Sequence, residues 1–283
     1  MKKKLLVILI TAVKEALTEL IAYLDTVVVN LNKVKRVYGH VKDDYDERDL
    51  KFVADPAISL PQSVDLRPQC SPVEDQGQLG ACTSFGTIGA LEFLELKDGK
   101  PLNILSHLFE YYNSRLLEGT TNQDSGAQIR DAIKAAKMYG ICTEKTLPYI
   151  IKNFKKKPST ACYTEATKYE LITYKTVNQT LNDMQSCLAS GYPIIIGMSV
   201  YESFESQEVA QTGIVPMPKN NEQLLGGHCV LVVGYDNASQ RFIVKNSWNT
   251  TWGIQGYFTI PYAYLTNRKL ASDFWMISKS GNV

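Results

Sequence analysis

The sequence predicts an α+β fold of two packed lobes, the first helical and the second based on an antiparallel β-sheet. Between residues 60 and 148, apolar residues recur at the spacing of amphipathic helices, whereas apolar runs of strand length dominate from Tyr169 onward. Segregation of helices and strands along one chain favours separate helical and sheet layers over an alternating α/β architecture.

Length and composition set the broad class. The chain has 283 residues, of which 45% are hydrophobic, and a formal net charge of +1. These values support a substantial buried core and exclude disordered and fibrous proteins. The near-neutral charge gives no indication of nucleic-acid binding.

Residues 1–59 differ from the remainder and are expected to form an N-terminal segment before a main domain at residues 60–283. Apolar residues between positions 5 and 34 recur about every 3.6 residues, which predicts a long amphipathic helix. Three lysines followed by LLVILITAV also resemble a signal peptide, although this apolar run is too short to span a bilayer. A signal peptide, a propeptide helix and a membrane anchor therefore stay open, and we expect no stable membrane span.

The main domain starts with a glycine-rich turn and three predicted helices. Helical spacing runs over residues 82–97, 106–117 and 127–138. Cys82 falls in the first turn of the first helix, where the helix dipole and unpaired backbone N–H groups favour a thiolate. A lone cysteine is usually a small buried hydrophobe, but this glycine-flanked helix start, with Gln76 six residues earlier, favours a nucleophile.

A β-hairpin is predicted where two strands, 226–236 and 241–246, flank the turn sequence DNASQ. From the turn position, antiparallel partners are expected to have residue numbers that sum to about 476; those of His228 and Asn246 sum to 474. These two side chains should therefore be near neighbours at the open end of the hairpin. Asn246 can then hold one ring nitrogen of His228 while the other faces a thiol. A Cys–His–Asn set supplies the nucleophile, base and orienter that acyl transfer needs.

Three motifs occur in order along the main domain: QGQLGACTSF from Gln76, GGHCVLVVGY from Gly226 and KNSWNTTWGIQGYFTI from Lys245. Together they resemble the motifs of the papain-like cysteine peptidases, the cathepsin family. The histidine follows the cysteine by 146 residues, which agrees with the separation usual in that family. The resemblance covers the chain from about residue 60 onward, with Leu66 where the family usually has tryptophan.

The resemblance implies a papain-like fold with a helical left lobe, an antiparallel β-sheet or barrel in the right lobe, and the active-site cleft between them. It implies peptide-bond hydrolysis through a thioester, with no metal or organic cofactor. Cys82 would be the nucleophile, His228 the base and Asn246 its orienter, with Gln76 as a side-chain donor to the oxyanion. Trp248 would shield the histidine–asparagine hydrogen bond from water. Substrate-binding roles are implied for Gly126, Gly226, Gly227, Trp248 and Ala271.

Two departures from the family pattern concern its disulfide frame. Leu79 replaces the cysteine that usually precedes the nucleophile, and the family's CxGG element stands as Asp124-Ser-Gly-Ala127. The usual frame is therefore expected to be absent or rewired. Besides Cys82 the chain has five cysteines, an odd number whose pairing the sequence leaves open: Cys70, Cys142, Cys162, Cys187 and Cys229.

Ala271 lies in an LAS sequence that resembles the IAS segment at the base of the family's main specificity pocket. Because alanine is small and apolar, we expect hydrophobic substrate side chains two residues before the scissile bond. A shifted alignment would put Asp273 in the pocket instead, and arginine would then be accepted there.

The other histidines and Cys229 are given structural interpretations. His107 has no carboxylate signal nearby in the sequence and is expected to be structural, and His40 is expected to be solvated. Cys229 should point to the strand face opposite His228 and pack in the core. No histidine occurs between Cys142 and Gly227, where the family's dipeptide-trimming members carry a blocking loop, and this favours an endopeptidase.

We expect the chain to be a monomeric zymogen that acts on protein or peptide substrates. Residues 1–59 would be its intramolecular inhibitor, with the stretch 38–52 covering Cys82. Acid would loosen this inhibitor if its carboxylates, at residues 43–49, are paired with basic residues. Two rival interpretations are an acyl transferase of transglutaminase type and a catalytically inactive binding protein with the same fold.

Overall fold

A computed structural model describes residues 11, 13–20, 36–168 and 172–279. The chain divides into two compact units, Met1–Arg36 and Val37–Val283. In the first unit, residues 11 and 13–20 are helical, and the rest of the helix predicted over residues 5–34 lies outside the described residues. No helix within the described part of the chain is both long and apolar enough to cross a membrane.

Three helices of the helical lobe agree with the prediction to within two residues. They are α1 (Cys82–Lys97), α2 (His107–Leu117) and α3 (Ile129–Tyr139). Helix α2 begins after Ser106, whose side chain accepts the backbone N–H of residue 109, as expected for an N-cap. The predicted start of the third helix is instead a short strand, β3 (Ala127–Gln128).

Helix α1 lies at the centre of the second unit. It packs on α2 and α3 on one side and on the sheet on the other, so its first turns are buried all round. The helix approaches the sheet closely because it carries glycine at position 86, where an added Cβ would lie 2.8 Å from the sulfur of Cys229. Cys82, the first residue of α1, is thereby fixed between the two lobes.

The second lobe is an antiparallel sheet in the strand order β4-β9-β5-β6-β7-β8, with β2 added to β6. Among the described strands, β4 and β8 are the ends of this order, so the sheet is open and the barrel alternative of the prediction is wrong. The strands are β2 (Ser63–Asp65), β4 (Ile172–Thr176), β5 (Ile194–Tyr201), β6 (Leu224–Asp236), β7 (Arg241–Lys245), β8 (Tyr257–Pro261) and β9 (Ala271–Lys279).

The predicted hairpin is the pair β6–β7. Leu231 lies opposite Lys245, two residue numbers that sum to 476, so the predicted register is confirmed. A bulge between Val232 and Gly234 shifts the pairing by one residue nearer the turn.

Helices also occur among the strands that dominate after Tyr169. Helix α4 (Thr160–Ala166) precedes β4, and the short helices α5 (Leu181–Ala189), α6 (Gln207–Thr212) and α7 (Tyr262–Leu265) lie between later strands of the sheet. Helices α5 and α6 begin after Thr180 and Ser206, whose side chains accept backbone N–H groups of the first turn. Such caps stabilise helices too short to show a clear apolar period.

Residues 37–52 pack against both lobes. Strand β1 (His40–Val41) pairs in parallel with β3 of the helical lobe. Farther on, the backbone N–H of Phe52 donates to the carbonyl of Thr176 in β4 at 2.8 Å, and the Phe52 ring is buried. We call residues 37–52 the covering segment below.

Candidate active site

Cys82 is fully buried at the start of α1. Backbone groups of Cys229 and Gly39 form hydrogen bonds with its thiol, one from β6 and one from the covering segment. The thiol therefore lies against the backbone of β6 at the residue that follows His228. The site therefore forms where the helix start meets the middle of the sheet.

His228 is held by Asn246, as the hairpin register predicts. Its Nε2 lies 2.8 Å from Oδ1 of Asn246, and Nδ1 is the ring nitrogen that this contact does not use. The Trp248 ring stacks on the imidazole with centroids 5.0 Å apart and is itself buried. This tryptophan excludes water from the histidine–asparagine pair, which strengthens their hydrogen bond.

The side chain of Gln76 is buried and held at both ends. Its Oε1 accepts from the hydroxyl of Ser247 at 2.6 Å, and its Nε2 donates to the carbonyl of Leu79 at 2.9 Å. The same Nε2 donates to the carbonyl of Val37 in the covering segment at 3.2 Å. A buried side-chain amide N–H of this kind can donate to a negatively charged oxygen.

The backbone of Gly39 lies against the turn before Cys82. An added Cβ at Gly39 would be 1.8 Å from the carbonyl oxygen of Gly80, and one at Gly126 would be 2.0 Å from the carbonyl oxygen of Gly39. The backbone N–H of Ala127 donates to that carbonyl at 2.9 Å. The covering segment thus packs its backbone at Gly39 between the turn before Cys82 and the loop at Gly126.

The residues on either side of Gly39 occupy different parts of the cleft. The Tyr38 ring lies 6.2 Å from His228 and 6.4 Å from Trp248, and its hydroxyl donates to the Glu205 carboxylate. An added Cβ at Gly226 would lie 2.6 Å from the Cβ of Tyr38. His40 extends to the other side, over the end of β9.

These contacts set the electrostatics of the Cys82 thiol. Burial raises the pKa of the Cys82 thiol to about 11, although backbone hydrogen bonds from Cys229, Gly39 and Thr83 act in the opposite direction. The sequence-based expectation of a stabilised thiolate therefore does not hold while the covering segment is in place. Desolvation by burial therefore outweighs the effect of the helix start.

The family model for papain family cysteine proteases matches residues 60–274. The chain belongs to the papain family of cysteine proteases. It is 39% identical over 278 residues to an uncharacterized peptidase C1-like protein of Acanthamoeba polyphaga mimivirus, with 89% of each chain covered. It is 32% identical over 215 residues to pro-cathepsin H of Mus musculus, covering 71% of this chain and 60% of that one.

Solved structures agree with this membership. Xylellain, a cysteine protease from Xylella fastidiosa, is 39% identical and matches with a TM-score of 0.82 over 86% of this chain and 96% of that chain. Procathepsin L 3 of the Tenebrio molitor larval midgut is 25% identical, with a TM-score of 0.64 over 79% of this chain and 73% of that one. The two-lobe papain-like fold is therefore shared, and the protein is a cysteine protease.

The expectation that His40 is solvated is wrong. Its side chain is only 6% exposed, and its Nε2 lies 2.8 Å from Oδ2 of Asp273. The imidazole lies on Gly197, where an added Cβ would be 2.0 Å from the ring. Ala271 is buried and lines a pocket together with His40 and Gly197. Both residues considered for the specificity pocket, Ala271 and Asp273, therefore lie near His40.

Arg130 of α3 anchors the covering segment to the protease. Its guanidinium forms an ion pair with Asp49 at 2.7 Å, and its backbone N–H donates to Asp43 at 3.2 Å. Trp275 of β9 donates its indole N–H to the same Asp43 carboxylate at 2.7 Å. Burial, followed by repulsion from Asp273, raises the pKa of Asp43 to about 6.

His107 is structural, as expected, but it does have a carboxylate partner. Its Nε2 lies 2.7 Å from the Glu74 carboxylate, and its ring stacks on Phe85 with centroids 3.7 Å apart. The contact escaped prediction because Glu74 is 33 positions away in the sequence. Cys229 is buried against α1, as predicted.

All six cysteines are free thiols. Leu79, at the position of the family's disulfide cysteine, is buried against Phe85, Leu108 and Tyr111. In the facing loop, both carboxylate oxygens of Asp124 accept the backbone N–H of Gly80 at 3.1 Å. Packing and this hydrogen bond join the two loops without a disulfide.

Sequence reasoning overlooked three residues that organise the site. They are Ser247, which holds Gln76, Arg130, which holds the covering segment, and Asp124, which holds Gly80. Ser247 follows Asn246 in the third motif, so its place in that motif could have marked it as a site residue. Nothing local marks Arg130, and although Asp124 stands at the cysteine position of the CxGG element, its contact with Gly80 was not predictable because the two residues are 44 positions apart.

Proposed function

We propose that the protein is a cysteine endopeptidase made as a zymogen, in which residues 1–59 are the propeptide and the covering segment occupies the substrate cleft. One observation carries the proposal: the chain's own backbone engages both the nucleophile and the oxyanion donor. Gln76 donates to the carbonyl of Val37, while a backbone hydrogen bond joins Gly39 to the Cys82 thiol.

The catalytic roles follow from the chemistry of the neighbours. His228 takes the thiol proton, and the Cys82 sulfur attacks the scissile carbonyl carbon to give a tetrahedral oxyanion. Gln76 and the backbone N–H of Cys82 stabilise that oxyanion. His228 then gives its proton to the leaving amine, which departs as the thioester forms, and water hydrolyses the thioester to release the acid. Asn246 keeps the imidazole oriented throughout.

The substrate would run opposite to the covering segment. His228 must protonate the leaving amine, so the leaving side of the substrate lies near His228 and Trp248, where Tyr38 lies now. The acyl side then lies where His40 lies now. Because the segment passes Cys82 in the reverse direction, its peptide bonds are presented the wrong way for attack, and it inhibits without being cut there.

The positions of the histidines support endopeptidase action. The chain has three histidines. His40 belongs to the covering segment, His107 is buried against Glu74, and His228 is the base. No histidine of the protease domain is therefore placed to bind a substrate terminus and block the cleft. The likeness to pro-cathepsin H and to a procathepsin structure supports the assignment of a propeptide.

The test compares the full-length protein before and after removal of its N-terminal segment by processing. We expect hydrolysis of fluorogenic peptides to be slow before processing and fast after it. The processed protein should be labelled stoichiometrically at Cys82 by an epoxysuccinyl reagent, and Cys82→Ala should show neither hydrolysis nor labelling. An inactive binding protein would show neither labelling nor hydrolysis. An acyl transferase would be labelled but would incorporate an amine in preference to releasing the acid. Peptide turnover in Cys82→Ala would contradict the proposal.

A further inference from the structure

The peptide group between Leu79 and Gly80, in the turn before the nucleophile, is held at both ends. Its carbonyl oxygen, on Leu79, accepts from Nε2 of Gln76 at 2.9 Å. Its N–H, on Gly80, donates to both carboxylate oxygens of Asp124 at 3.1 Å. The C=O and N–H of a planar trans peptide point in opposite directions, so a partner that fixes one of them also fixes the other. The orientation of the Gln76 amide is therefore tied to the position of the Asp124 carboxylate.

The Gln76 amide nitrogen carries two hydrogens, and the direction of one follows from that of the other. Nε2 donates to the carbonyl of Leu79 and, at 3.2 Å, to the carbonyl of Val37 in the covering segment. Because the amide is planar, the bond to Leu79 sets where its second hydrogen points. This second hydrogen loses its partner when the covering segment leaves, and it is then available to a substrate oxygen. A rotation of the peptide group between Leu79 and Gly80 would misdirect it.

Gly80 loses packing when the covering segment is removed. An added Cβ on Gly80 would lie 3.4 Å from the Cα of Gly39 and 3.5 Å from the side chain of Val37, both in the covering segment. It would lie 3.0 Å from Oδ1 of Asp124, which belongs to the protease domain and stays. Glycine has more backbone freedom than any other residue, and Gly80 is buried, so its N–H needs an acceptor. The Asp124 carboxylate therefore still restrains Gly80 in the processed protease.

Tyr111 of α2 holds the Asp124 carboxylate in place. Its hydroxyl donates to Oδ1 of Asp124 and accepts the backbone N–H of Gly126 at 3.1 Å. The tyrosine is fully buried, and the guanidinium of Arg115 lies 4.0 Å from its ring centroid. Burial, followed by the hydrogen bond to Asp124, raises the pKa of Tyr111, so the hydroxyl keeps its proton and remains a donor. Asp124 is exposed, but its carboxylate is fixed from the protein side.

We propose that Asp124 is a positioning residue for the reaction, because it fixes the peptide group that directs the Gln76 amide at the oxyanion. Its contacts with Gly80 and Tyr111 let it act through Gln76 and not on the reacting atoms. The inference rests on the proposed function, which assigns Gln76 to the oxyanion. It gives the aspartate at the cysteine position of the CxGG element a part in the reaction, beyond joining two loops.

The test uses protein processed from the full chain, with its active sites titrated by covalent labelling of Cys82. The measurements are kcat and KM for a fluorogenic peptide, and the rate at which iodoacetamide alkylates Cys82. We expect Asp124→Ala to lower kcat by roughly 5- to 30-fold, as for a buried N–H that loses its acceptor, with little change in KM. The alkylation rate should not change, because alkylation forms no oxyanion. Asp124→Asn, which keeps an acceptor oxygen, should retain most of kcat.

A double variant separates positioning from a general effect on the fold. Because Asp124 acts through the glutamine, Asp124→Ala combined with Gln76→Ala should be no slower than Gln76→Ala alone. Tyr111→Phe, which keeps the carboxylate but removes its donor, should lower kcat by a smaller factor, and it provides the same comparison if Asp124→Ala does not fold. The matched control is Asp98→Ala, at an exposed position just after the far end of α1, which should leave kcat, KM and the alkylation rate unchanged.

Three results would overturn the proposal while leaving the protease assignment intact. They are a wild-type kcat in Asp124→Ala, an equal loss of kcat with and without Gln76, and a fall in the alkylation rate that matches the fall in kcat. A wild-type kcat in Tyr111→Phe would have the same meaning if that variant has to replace Asp124→Ala. The absence of any hydrolysis that depends on Cys82 would instead contradict the proposed function itself.

Discussion

Gln76 is held in position by its own chain before any substrate binds. The Ser247 hydroxyl donates to its Oε1, while its Nε2 donates to the carbonyl of Leu79, so both ends of the amide are fixed. A donor fixed in this way needs no reorganisation when negative charge develops on the substrate oxygen. We therefore expect Gln76→Ala to lower kcat of the processed protease by about 10²–10³ with little change in KM. Steady-state kinetics on a peptide substrate measure both constants.

Ser247→Ala provides the comparison for this prediction. The Ser247 hydroxyl donates to Gln76 and is assigned no direct role in the reaction, so its loss should lower kcat less than Gln76→Ala does. The double variant should be no slower than Gln76→Ala alone, because Ser247 acts through the glutamine. An unchanged kcat in Gln76→Ala would remove this residue from the site.

At the residue scale, the sequence predicts the parts that local patterns bring together. The hairpin register alone places His228 beside Asn246, and the helix start isolates Cys82. The contact between His40 and Asp273 could not be predicted, because 233 positions separate them and strand β1 is two residues long. A strand that short carries no alternation from which to read its partner.

Helix α2 carries a carboxyl group in the core of the helical lobe. Glu110 is only 1% exposed, and burial raises its pKa to about 8. In the unfolded chain the group ionises near its ordinary value of 4.5, whereas the folded protein keeps the proton until about pH 8. The contribution of this group to stability therefore falls as pH rises from about 4.5 to 8.

Glu110→Gln should abolish that pH dependence, because the amide has nothing to ionise. At pH 8 the variant should be more stable than the wild type by a few kcal/mol at most, since a tenfold change in a proton-binding constant corresponds to about 1.4 kcal/mol. Melting temperatures measured from pH 5 to 8 test this, with a rise of ~2–4 °C expected per kcal/mol. Glu208→Gln, at an exposed site on α6, is the control. A constant difference between Glu110→Gln and wild type across this pH range would contradict the account.

At the element scale, length decides what the sequence can predict. Helix α1 has sixteen residues, and its boundaries were predicted correctly. Helices α5 and α6 have nine and six residues and were overlooked, although Thr180 and Ser206 mark their starts. Short elements are stabilised mainly by caps and tertiary packing, so their own apolar period is weak.

For the whole molecule, the carboxylates of the covering segment do not share one pH dependence. Asp49 forms an ion pair with Arg130, the kind of contact on which the expected release in acid depends, whereas Asp43 is in a different environment. Docking raises the pKa of Asp43 to about 6, so its ionised form opposes docking at neutral pH. The contribution of Asp43 to docking should therefore become more favourable as pH falls from about 6 towards 4, the reverse of release in acid. Asp46 has a pKa well below its usual range, mainly because Arg48 of the same segment pairs with it. Protonation of Asp46 therefore breaks no contact with the protease.

Asp43→Asn should remove the part of the pH dependence that comes from this carboxylate. At pH 7 the unprocessed variant should be less active than unprocessed wild type by up to roughly 100-fold. In wild type the ionised Asp43 carboxylate weakens docking of the inhibitory segment, because its free and docked pKa values differ by about two, whereas the amide has no charge and lets the segment dock more tightly. The two proteins should converge as the pH approaches 4. Glu47→Gln, an exposed change in the same segment, should behave as wild type. Equal activities of Asp43→Asn and wild type at every pH would contradict this interpretation of Asp43.

The central claim is that the chain closes its own active site by placing the backbone of Gly39 against the nucleophile. The most direct test is the rate of alkylation of Cys82 in the intact full-length protein at neutral pH. Gly39→Ala should raise that rate roughly tenfold or more, because its Cβ would lie 1.8 Å from the Gly80 carbonyl oxygen and overpacking costs about 1–3 kcal/mol. Tyr45→Ala, at a side chain 93% exposed in the same segment, should leave the rate unchanged. Slow alkylation of intact Gly39→Ala, equal to that of wild type, would contradict the claim.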